Sequence, residues 1–400
     1  MKAWIDDRWR IKGNLPSPSD GKGLRWRVVW MDPNTRLEKS KSFKKRAGAG
    51  GAEEFSTKVE NDMRAGVYLA PEHGQKTFDV LSRAYLDSKV RIKGSTRDRA
   101  ERELKTWILP QWGTRPIGEI KRLEVEEWVG MLLNGTAPHR YRDGSEKVAG
   151  ALAANSIKHL ITFVSGAFQY AMGHDYILKN PASGVELPKP VEKSKVYLGF
   201  KEVEDLADAV YNVDENGSDR ALVLFLAYTG ARIGEALALT VGSVNVDTRR
   251  ALISQTWTTE NGRAVFGTPK TGKSRTVPLH DFLIDALKPL IVDQPDDAYL
   301  FRAPRGGPLD PNNWRTRVWT KALDGTDFKK RDITPHSLRH TAASMAISAG
   351  ADVKVVQTML GHASATETLD TYGHLWPDKL DEVTDAVGDK RTRALSQFGS

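Results

Sequence analysis

Cysteine is absent from the 400 residues of this chain. Its absence excludes disulfides, thiolate metal sites, iron–sulfur clusters and cysteine nucleophiles from these residues. Long apolar runs are missing too, because no stretch approaches the roughly 18 uncharged apolar residues of a membrane span. The opening residues, MKAWIDDRWRIK, lack the apolar segment of a signal peptide. A cytoplasmic protein without membrane spans is therefore expected.

Positive charge is in modest excess and is distributed unevenly. Lys and Arg number 59 against 51 Asp and Glu, a net charge of +8, and apolar residues make up 40%. Residues 1–70 carry +6, residues 71–195 carry +5 and residues 196–400 carry −3. The length predicts two or three globular domains. If the partner is DNA, the first half supplies much of the phosphate affinity; a solvated basic surface is the alternative.

The first 65 residues predict three short strands followed by a helix. Strands are expected at Trp4–Trp9, Leu24–Trp30 and Lys39–Phe43, and a helix at Glu53–Ala65. Basic side chains accompany the second and third strands, namely Arg25, Arg27, Lys39, Lys41 and Lys44. A basic sheet face suits a DNA groove, whereas a basic edge strand that resists aggregation is the plainer interpretation.

From Thr77 to Ala171 the pattern is helical and predicts a bundle of about four helices. The expected helices start at Thr77 and span Ser95–Trp107, Ile117–Leu133 and Ala151–Met172. Pro110–Pro116 is expected to break the second helix, and Asn134–Gly150 to form a loop. Three prolines within Pro181–Ser194 predict a domain boundary.

The rest of the chain predicts a mixture of helices and short strands. The expected helices are Glu202–Tyr211, Arg220–Tyr228, Phe282–Leu290, Trp314–Lys321, Ser337–Ala349, Val353–Leu360 and Thr366–Tyr372, and the expected strands are Val244–Asp247, Ala251–Thr256 and Thr276–Pro278. The fold class is therefore multidomain and mainly α, with small β-sheets.

Four clusters in residues 229–374 carry the chemically informative side chains. They read TGARIGEAL from Thr229, KTGKSRTVPL from Lys270, HSLRHTAAS from His336 and MLGHASATETLDTYGH from Met359. Taken one at a time, each is weak, because an arginine can form a structural ion pair and a histidine or tyrosine can belong to a core.

Taken together and in this order, the clusters resemble the tyrosine recombinase (phage integrase) family. That family's pattern is Arg, a hairpin Lys, His-x-x-Arg, His or Trp, and a nucleophilic Tyr, and its members here are Arg232, Lys270, His336, Arg339, His362 and Tyr372. The resemblance covers residues 196–385, and extends less specifically to residues 77–180, which resemble the family's helical core-binding domain. Residues 1–65 resemble the arm-binding domain of larger phage integrases by element order and charge.

The resemblance implies a role for each of these residues. Arg232 and Arg339 would clamp the scissile phosphate, and Tyr372 would attack it to give a 3′-phosphotyrosyl intermediate. Lys270 would protonate the leaving 5′-oxygen, His336 would exchange a proton with the tyrosine, and His362 would hydrogen-bond the phosphate. Glu235 would support Arg232 or His336. Neither ATP nor a metal is required, so no cofactor is expected.

Several assignments stay open at this stage. Lys273 is the alternative hairpin lysine, and otherwise Lys273 and Arg275 would contact the DNA backbone. Arg97 and Lys158 are candidate DNA contacts of the helical domain. His336 and His340 lie four apart on one helix face, a spacing that zinc could use, although Arg339 between them disfavours a metal.

The resemblance also implies an organisation and partners. It predicts an arm-type DNA-binding domain at 1–66, a core-site DNA-binding domain at 77–180 and a catalytic domain at 195–390. A homotetramer on double-stranded DNA with core-type and arm-type sites is expected in a bacterial host cytoplasm, with accessory DNA-bending and directionality proteins. The function expected is integration, with excision, of a phage or mobile element. DNA relaxation of the type IB topoisomerase kind, and a catalytically silent architectural DNA-binding protein, are the alternatives.

Overall fold

The computed structural model of the chain describes residues 2–396 apart from residues 34, 67, 70–72, 142, 192–193, 261–262, 270–271 and 377–379. The chain divides into two compact units, Met1–Glu192 and Lys193–Ser400. The described residues are mainly helical with small antiparallel sheets, as the sequence predicts. None of the helices in the described part of the chain combines the length and apolar character needed to cross a bilayer.

Among its described residues, the first unit contains seven short strands and six α-helices. The strands are β1 Ala3–Asp7, β2 Arg10–Ile11, β3 Leu15–Pro16, β4 Trp26–Met31, β5 Glu38–Phe43, β6 Pro138–Arg140 and β7 Glu146–Val148. The helices are α1 Ala52–Arg64, α2 Phe78–Asp87, α3 Gly94–Glu103, α4 Leu109–Trp112, α5 Arg122–Asn134 and α6 Ala154–Gly173.

Strands β1, β4 and β5 form an antiparallel sheet in the order β1-β4-β5. Val28 and Trp30 of the central strand are buried against Val59 and Met63, which lie four apart on α1. This cluster is separate from the core of the helices that follow, where Phe78, Trp112, Trp128, Val164 and Phe168 are among the buried side chains. The expected three-stranded sheet and helix are therefore present with their own small core, and the short hairpin β2–β3 between β1 and β4 was not predicted.

The second predicted helix continues through the proline that was expected to break it. Helix α3 leads into a π-helical turn over Leu104–Ile108, and α4 follows with Pro110 in its first turn. Proline lacks the backbone N–H that a regular helix uses, and a first turn does not need it. Burial of Ile108 and Trp112 on both sides of Pro110 stabilises the continuation.

The expected loop at 134–150 contains the short hairpin β6–β7, in which His139 pairs with Lys147. Turn-forming residues surround both strands, so the sequence resembles a loop, and three-residue strands leave little periodicity to detect.

The second unit contains five strands and eleven helices among the described residues. The strands are β8 Val244–Asn245, β9 Arg250–Ile253, β10 Thr256–Glu260, β11 Arg263–Gly267 and β12 Arg275–Pro278. The helices are α7 Phe200–Tyr211, α8 Gly217–Thr229, α9 Ile233–Ala236, α10 Asp281–Ile291, α11 Pro311–Trp314, α12 Thr320–Leu323, α13 Asp327–Lys330, α14 Pro335–Ser348, α15 Val353–Leu360, α16 Ala365–Tyr372 and α17 Leu380–Ser396.

Helix α8 is the centre of this unit. Its residues from Ala221 to Ala227 are all buried, and α7, α10 and α14 pack around it. The sheet β12-β9-β8 contributes to the same core. Strands β10 and β11 form a separate antiparallel pair, and β11 is not among the expected strands. These elements bring the C-terminal end of α8, the strand β12 and the helices α14–α16 to one place.

Candidate active site

The carboxylate of Glu235 holds two arginines. Helix α8 ends at Gly230, which has a left-handed φ of 66°, and Arg232 precedes the short helix α9. Glu235 is 1% exposed and accepts hydrogen bonds from the Arg232 backbone N–H at 3.0 Å and from its guanidinium at 3.0 Å. The second guanidinium is that of Arg275, whose Nη2 lies 2.6 Å from Glu235 Oε2. Burial alone would raise the pKa of Glu235, but Arg275 and then Arg232 hold it below its ordinary value.

Arg275, a predicted contact of the DNA backbone, is largely buried and bound within the protein. Its side chain is 9% exposed, and its Nε donates to the Met359 carbonyl at 3.0 Å. Strand geometry explains the burial, because Arg275 and the fully buried Val277 are two residues apart and share one face of β12. Arg275 therefore joins β12 to α9 and to the end of α15.

Arg339 is 2% exposed and is fixed by two helix ends. Its Nη1 donates to the Gly230 carbonyl at 2.6 Å, and its Nη2 donates to the Leu360 carbonyl at 2.8 Å. These are the last carbonyls of α8 and α15, where helix dipoles favour a cation. Burial, and then the charge of Arg232, lower the pKa of Arg339 to about 10, so it stays cationic at neutral pH.

Tyr372 ends α16 and is 1% exposed. Its hydroxyl lies 2.8 Å from His340 Nδ1. Burial raises the pKa of Tyr372 to about 12, although the charges of Arg339 and Arg232 act in the opposite direction. The tyrosine hydroxyl is therefore protonated at neutral pH and lies within the field of both arginines.

His336 and His362 lie on either side of this tyrosine–histidine pair. The ring of His336 meets the His340 ring at a centroid distance of 4.9 Å. The His362 ring is parallel to that of Tyr372 at 6.3 Å, and its Nδ1 is 2.9 Å from Thr368 Oγ1. Burial, and then Arg339, lower the pKa of His362 to about 4. Loss of hydration, followed by the charges of Arg339 and Arg232, lowers the pKa of His336.

The predicted hairpin lysine, Lys270, lies outside the described residues. Its alternative, Lys273, is exposed just before β12. Among the described residues, no group of three or more His, Cys, Asp or Glu side chains could hold a metal ion. Four of the six family positions, Arg232, His336, Arg339 and His362, therefore lie in the same region as a fifth, Tyr372, together with Glu235.

The predicted DNA contacts of the first unit differ in how much of their charge is already paired. Arg25 and Arg27 form ion pairs with Asp7 and Asp6 of β1, at 2.9 and 2.7 Å. Lys41 lies over the Phe55 ring at 5.0 Å, on the same face of the sheet as Val28, which is its register partner. Basic side chains that form fewer contacts within the protein are therefore the stronger candidates for phosphate contact.

Of the other four candidates, two are exposed, one is partly exposed and one is already paired. Lys44 and Lys158 are exposed, and Lys39 is partly exposed on β5. Arg97 is bound to Asp87 and Glu101, which leaves less of its charge for DNA.

Sequence reasoning missed the role of His340. The signal was available, because His340 follows His336 by four residues and both therefore lie on one face of α14. Lys195 was also missed. Its Nζ donates to the Thr371 carbonyl at 2.7 Å and lies 5.8 Å from the centre of the Tyr372 ring. Lys195 directly follows the predicted domain boundary, where no sequence pattern indicates such a contact.

Comparison with known proteins places this arrangement in a family. Residues 197–378 match the phage integrase family. The tyrosine recombinase XerD of Corynebacterium glutamicum is 32% identical over 282 residues, which cover 68% of this chain and 84% of that protein.

Two solved structures are similar in fold. The Tn1549 transposon integrase in complex with a circular intermediate DNA has a TM-score of 0.62 at 20% identity, covering 78% of this chain and 99% of that one. A lambda integrase tetramer bound to a Holliday junction has a TM-score of 0.55 at 18% identity, covering 85% of this chain and 94% of that one. With a relative above 30% identity matched over most of its length, and with the family match, the chain belongs to the tyrosine recombinase (phage integrase) family.

Proposed function

We propose that this tyrosine recombinase cuts and rejoins DNA at defined sites to integrate, and to excise, a phage or other mobile element. The observation that carries the proposal is a buried tyrosine whose hydroxyl lies in the field of Arg339 and Arg232. A nucleophile beside two guanidiniums suits attack on a phosphodiester, whose negative charge otherwise repels nucleophiles.

Arg232 and Arg339 clamp the non-bridging oxygens of the scissile phosphate. Each guanidinium offers five N–H donors in a planar fork, and Arg339 uses one on each of two carbonyls, so further donors are left for the phosphate. Glu235 orients Arg232, because it binds both the backbone and the guanidinium of that residue. His362 adds a neutral donor to the phosphate.

Cleavage conserves the bond energy. The Tyr372 oxygen forms a bond to phosphorus, the bond from phosphorus to the 5′-oxygen breaks, and the tyrosine proton passes to His336. Lys270, or Lys273 in its place, protonates the 5′-oxygen. Rejoining reverses these steps with a 5′-hydroxyl from another strand, so no net oxidation, ATP or metal is involved.

Each of the three predicted domains has its own task. Residues 77–180 bind the core site, residues 195–390 cut it, and residues 1–66 bind a separate arm-type site. The separate core of the sheet and α1 supports an independent module, and so does the net +6 on residues 1–70. The likeness to lambda integrase covers 85% of the chain; since residues 77–400 make up 81% of it, that likeness extends into the first residues.

Strand exchange between two duplexes needs four nucleophiles, so a homotetramer on DNA is the working assembly. The lambda integrase structure named above is a tetramer on a Holliday junction, and the likeness in fold supports the same arrangement here. Accessory DNA-bending and directionality proteins would select integration or excision.

The test of the reaction uses a nicked suicide DNA that carries the core site. Wild-type protein should give a covalent protein–DNA band on a denaturing gel, and Tyr372→Phe should give none. Tyr211→Phe, at a tyrosine on the surface of α7, is the matched control and should behave as wild type. Absence of a wild-type adduct, or an adduct that survives Tyr372→Phe, contradicts the proposal.

Two further assays separate the alternatives. Relaxation of a supercoiled plasmid that lacks the core site would favour a topoisomerase-like activity over recombination. A footprint on attachment-site DNA should show two unrelated protected sequences, and substitution of Lys44 should weaken only one of them. A single class of protected sequence argues against an arm-binding module.

A further inference from the structure

The hydroxyl of Tyr372 has one hydrogen-bond partner among the described residues, and it is not the histidine that the family pattern designates. His340 Nδ1 lies 2.8 Å from the hydroxyl oxygen. The two rings meet edge to face, with centroids 5.6 Å apart. His340 is the residue after Arg339, so the helix that supplies the clamp also supplies this partner.

The other groups around Tyr372 are engaged differently. His362 is parallel to the tyrosine ring and binds Thr368, and Lys195 binds the backbone carbonyl of Thr371. His336 contacts the His340 ring rather than the tyrosine hydroxyl. Within the described part of the chain, His340 is therefore the side chain placed to orient the hydroxyl.

The Tyr372 hydroxyl lies within the electrostatic field of Arg339 and Arg232, the two arginines proposed to bind the phosphate. After burial, the charge of Arg339 has the strongest influence on the pKa of its hydroxyl, followed by Tyr197 and then by the charge of Arg232. The contact with His340 therefore belongs to the assembled site, in which the nucleophile and the phosphate-binding groups are already neighbours.

His340 is neutral in this environment. Burial is the main cause that lowers its pKa to about 4, and the further causes are the nearby charges of His336, Lys195, Arg339 and His362. A neutral imidazole accepts at one nitrogen and donates at the other. Since a phenol is the stronger acid of the two, the favoured pairing has Tyr372 donating to Nδ1, with the ring proton of His340 on Nε2.

We propose that His340 is a positioning residue for the nucleophile, which accepts the hydrogen bond of the Tyr372 hydroxyl and thereby directs an oxygen lone pair toward the clamped phosphate. The proposal rests on the proposed function, in which Tyr372 attacks DNA. A hydroxyl that is oriented before DNA arrives does not have to be ordered during the reaction. The proton that Tyr372 releases passes on to His336, which contacts the His340 ring, so His340 gains no net proton.

Two substitutions separate the acceptor from the ring. His340→Asn keeps an acceptor, because the Asn Oδ1 occupies nearly the position of Nδ1, whereas His340→Phe keeps a ring and removes the acceptor. His374→Phe is the matched control, because His374 is an exposed histidine beyond α16 that binds the Tyr197 hydroxyl at 3.3 Å.

The experiment measures the single-turnover rate of adduct formation on nicked core-site DNA over a range of DNA concentrations. His340→Phe should lower the rate at saturating DNA by about tenfold, the effect of roughly one hydrogen bond, with half-saturation unchanged. His340→Asn should recover most of that loss, and His374→Phe should match wild type. Equal rates for the Asn and Phe variants, whether both fast or both slow, overturn the proposal.

A second measurement tests the proposal without a variant, in case His340→Phe fails to fold. Imidazole ¹⁵N resonances of the wild-type protein should show His340 neutral, with its proton on Nε2 and Nδ1 as acceptor. A proton on Nδ1 overturns the proposal. An adduct that persists in Tyr372→Phe would instead refute the proposed function, so the two failures are distinguishable.

Discussion

At the scale of single residues, Glu235 controls how much positive charge the clamp offers. Its buried carboxylate lies between Arg232 and Arg275. Because Arg275 compensates this carboxylate from the protein side, the charge of Arg232 is available to the phosphate. On the proposed function, Arg275 would therefore support phosphate binding indirectly, through Glu235.

Charge compensation leads to a prediction about a double variant. Arg275→Gln leaves Glu235 balanced by Arg232 alone, so adduct formation should fall by on the order of tenfold. Adding Glu235→Gln should recover part of that loss, because it restores the charge of Arg232. The rates of adduct formation of the single and double variants are compared in the suicide-substrate assay. A further loss in the double variant would mean that Arg275 acts only as a structural link.

Asp219 predicts a stability effect that depends on pH. It is 3% exposed and accepts a hydrogen bond from Trp314 Nε1 at 2.8 Å, and burial raises its pKa from 3.8 to about 6. The folded state therefore binds its proton more tightly than the unfolded state, so this residue lowers stability as pH rises from about 4 to above 6. The cost at pH 7 is on the order of 3 kcal/mol.

Asp219→Asn removes that cost while keeping an acceptor for Trp314. The variant should gain Tm relative to wild type at pH 7 and gain little at pH 4, as measured by circular dichroism. Asp205→Asn, at an exposed carboxylate of α7, is the control and should show no such trend. A gain that is equal at both pH values would contradict the assignment.

At the scale of elements, the junction of three helices holds the site. Gly230 ends α8, Leu360 ends α15, and Arg339 of α14 binds the carbonyls of both. A Cβ at Gly230 would lie 2.6 Å from Leu360 Cδ2. The left-handed φ and the close approach both require glycine at this position.

Gly230→Ala should therefore disturb both fold and cleavage. We expect a loss of about 1–3 kcal/mol in the free energy of unfolding from the clash, in addition to the strain of left-handed backbone, and a lower rate of adduct formation. Gly350→Ala is the control, because Gly350 also has a positive φ but open space around its Cβ position. Equal effects of the two variants would show that only backbone strain matters.

For single helices and strands, the sequence predicts those features that a local pattern of residues determines. The clusters around Arg232, His336 and Tyr372 identify the family positions, and the helices that carry them were expected within a few residues. Periodicity could not reveal that a π-helical turn carries the helix past Pro110, or that Arg263–Gly267 forms a strand. The burial of Arg275 depends on which face of β12 packs on the core. The neighbouring basic residues made the whole segment look exposed, so the sequence did not indicate this burial.

At the scale of the whole molecule, charge and chemistry are separated along the chain. The first 195 residues hold the basic excess, and the second unit is net negative although its cations converge around one tyrosine. Part of the basic excess is already paired, since Arg25 and Arg27 bind aspartates of β1. The phosphate affinity of the N-terminal module is therefore expected to depend on lysines near the end of β5.

Salt dependence tests that expectation. Substituting Lys44 and Lys45 by Gln should reduce the slope of log affinity against log salt by about two for arm-site DNA, and leave the adduct rate on core-site DNA unchanged. Lys201→Gln with Lys288→Gln removes the same charge from exposed positions of the second unit. That control should leave the arm-site slope as it is. An equal change in both double variants would point to a general effect of net charge.

Arg339 has one more consequence, for anyone who wishes to use this protein as a DNA-binding scaffold without cutting. Because its guanidinium binds the carboxyl ends of two helices, replacing it would remove a structural support along with the charge proposed to bind the phosphate. An inactive scaffold should therefore be made at the tyrosine hydroxyl. Tyr372→Phe deletes one oxygen, leaves the ring in its cluster and leaves every bond of Arg339 in place.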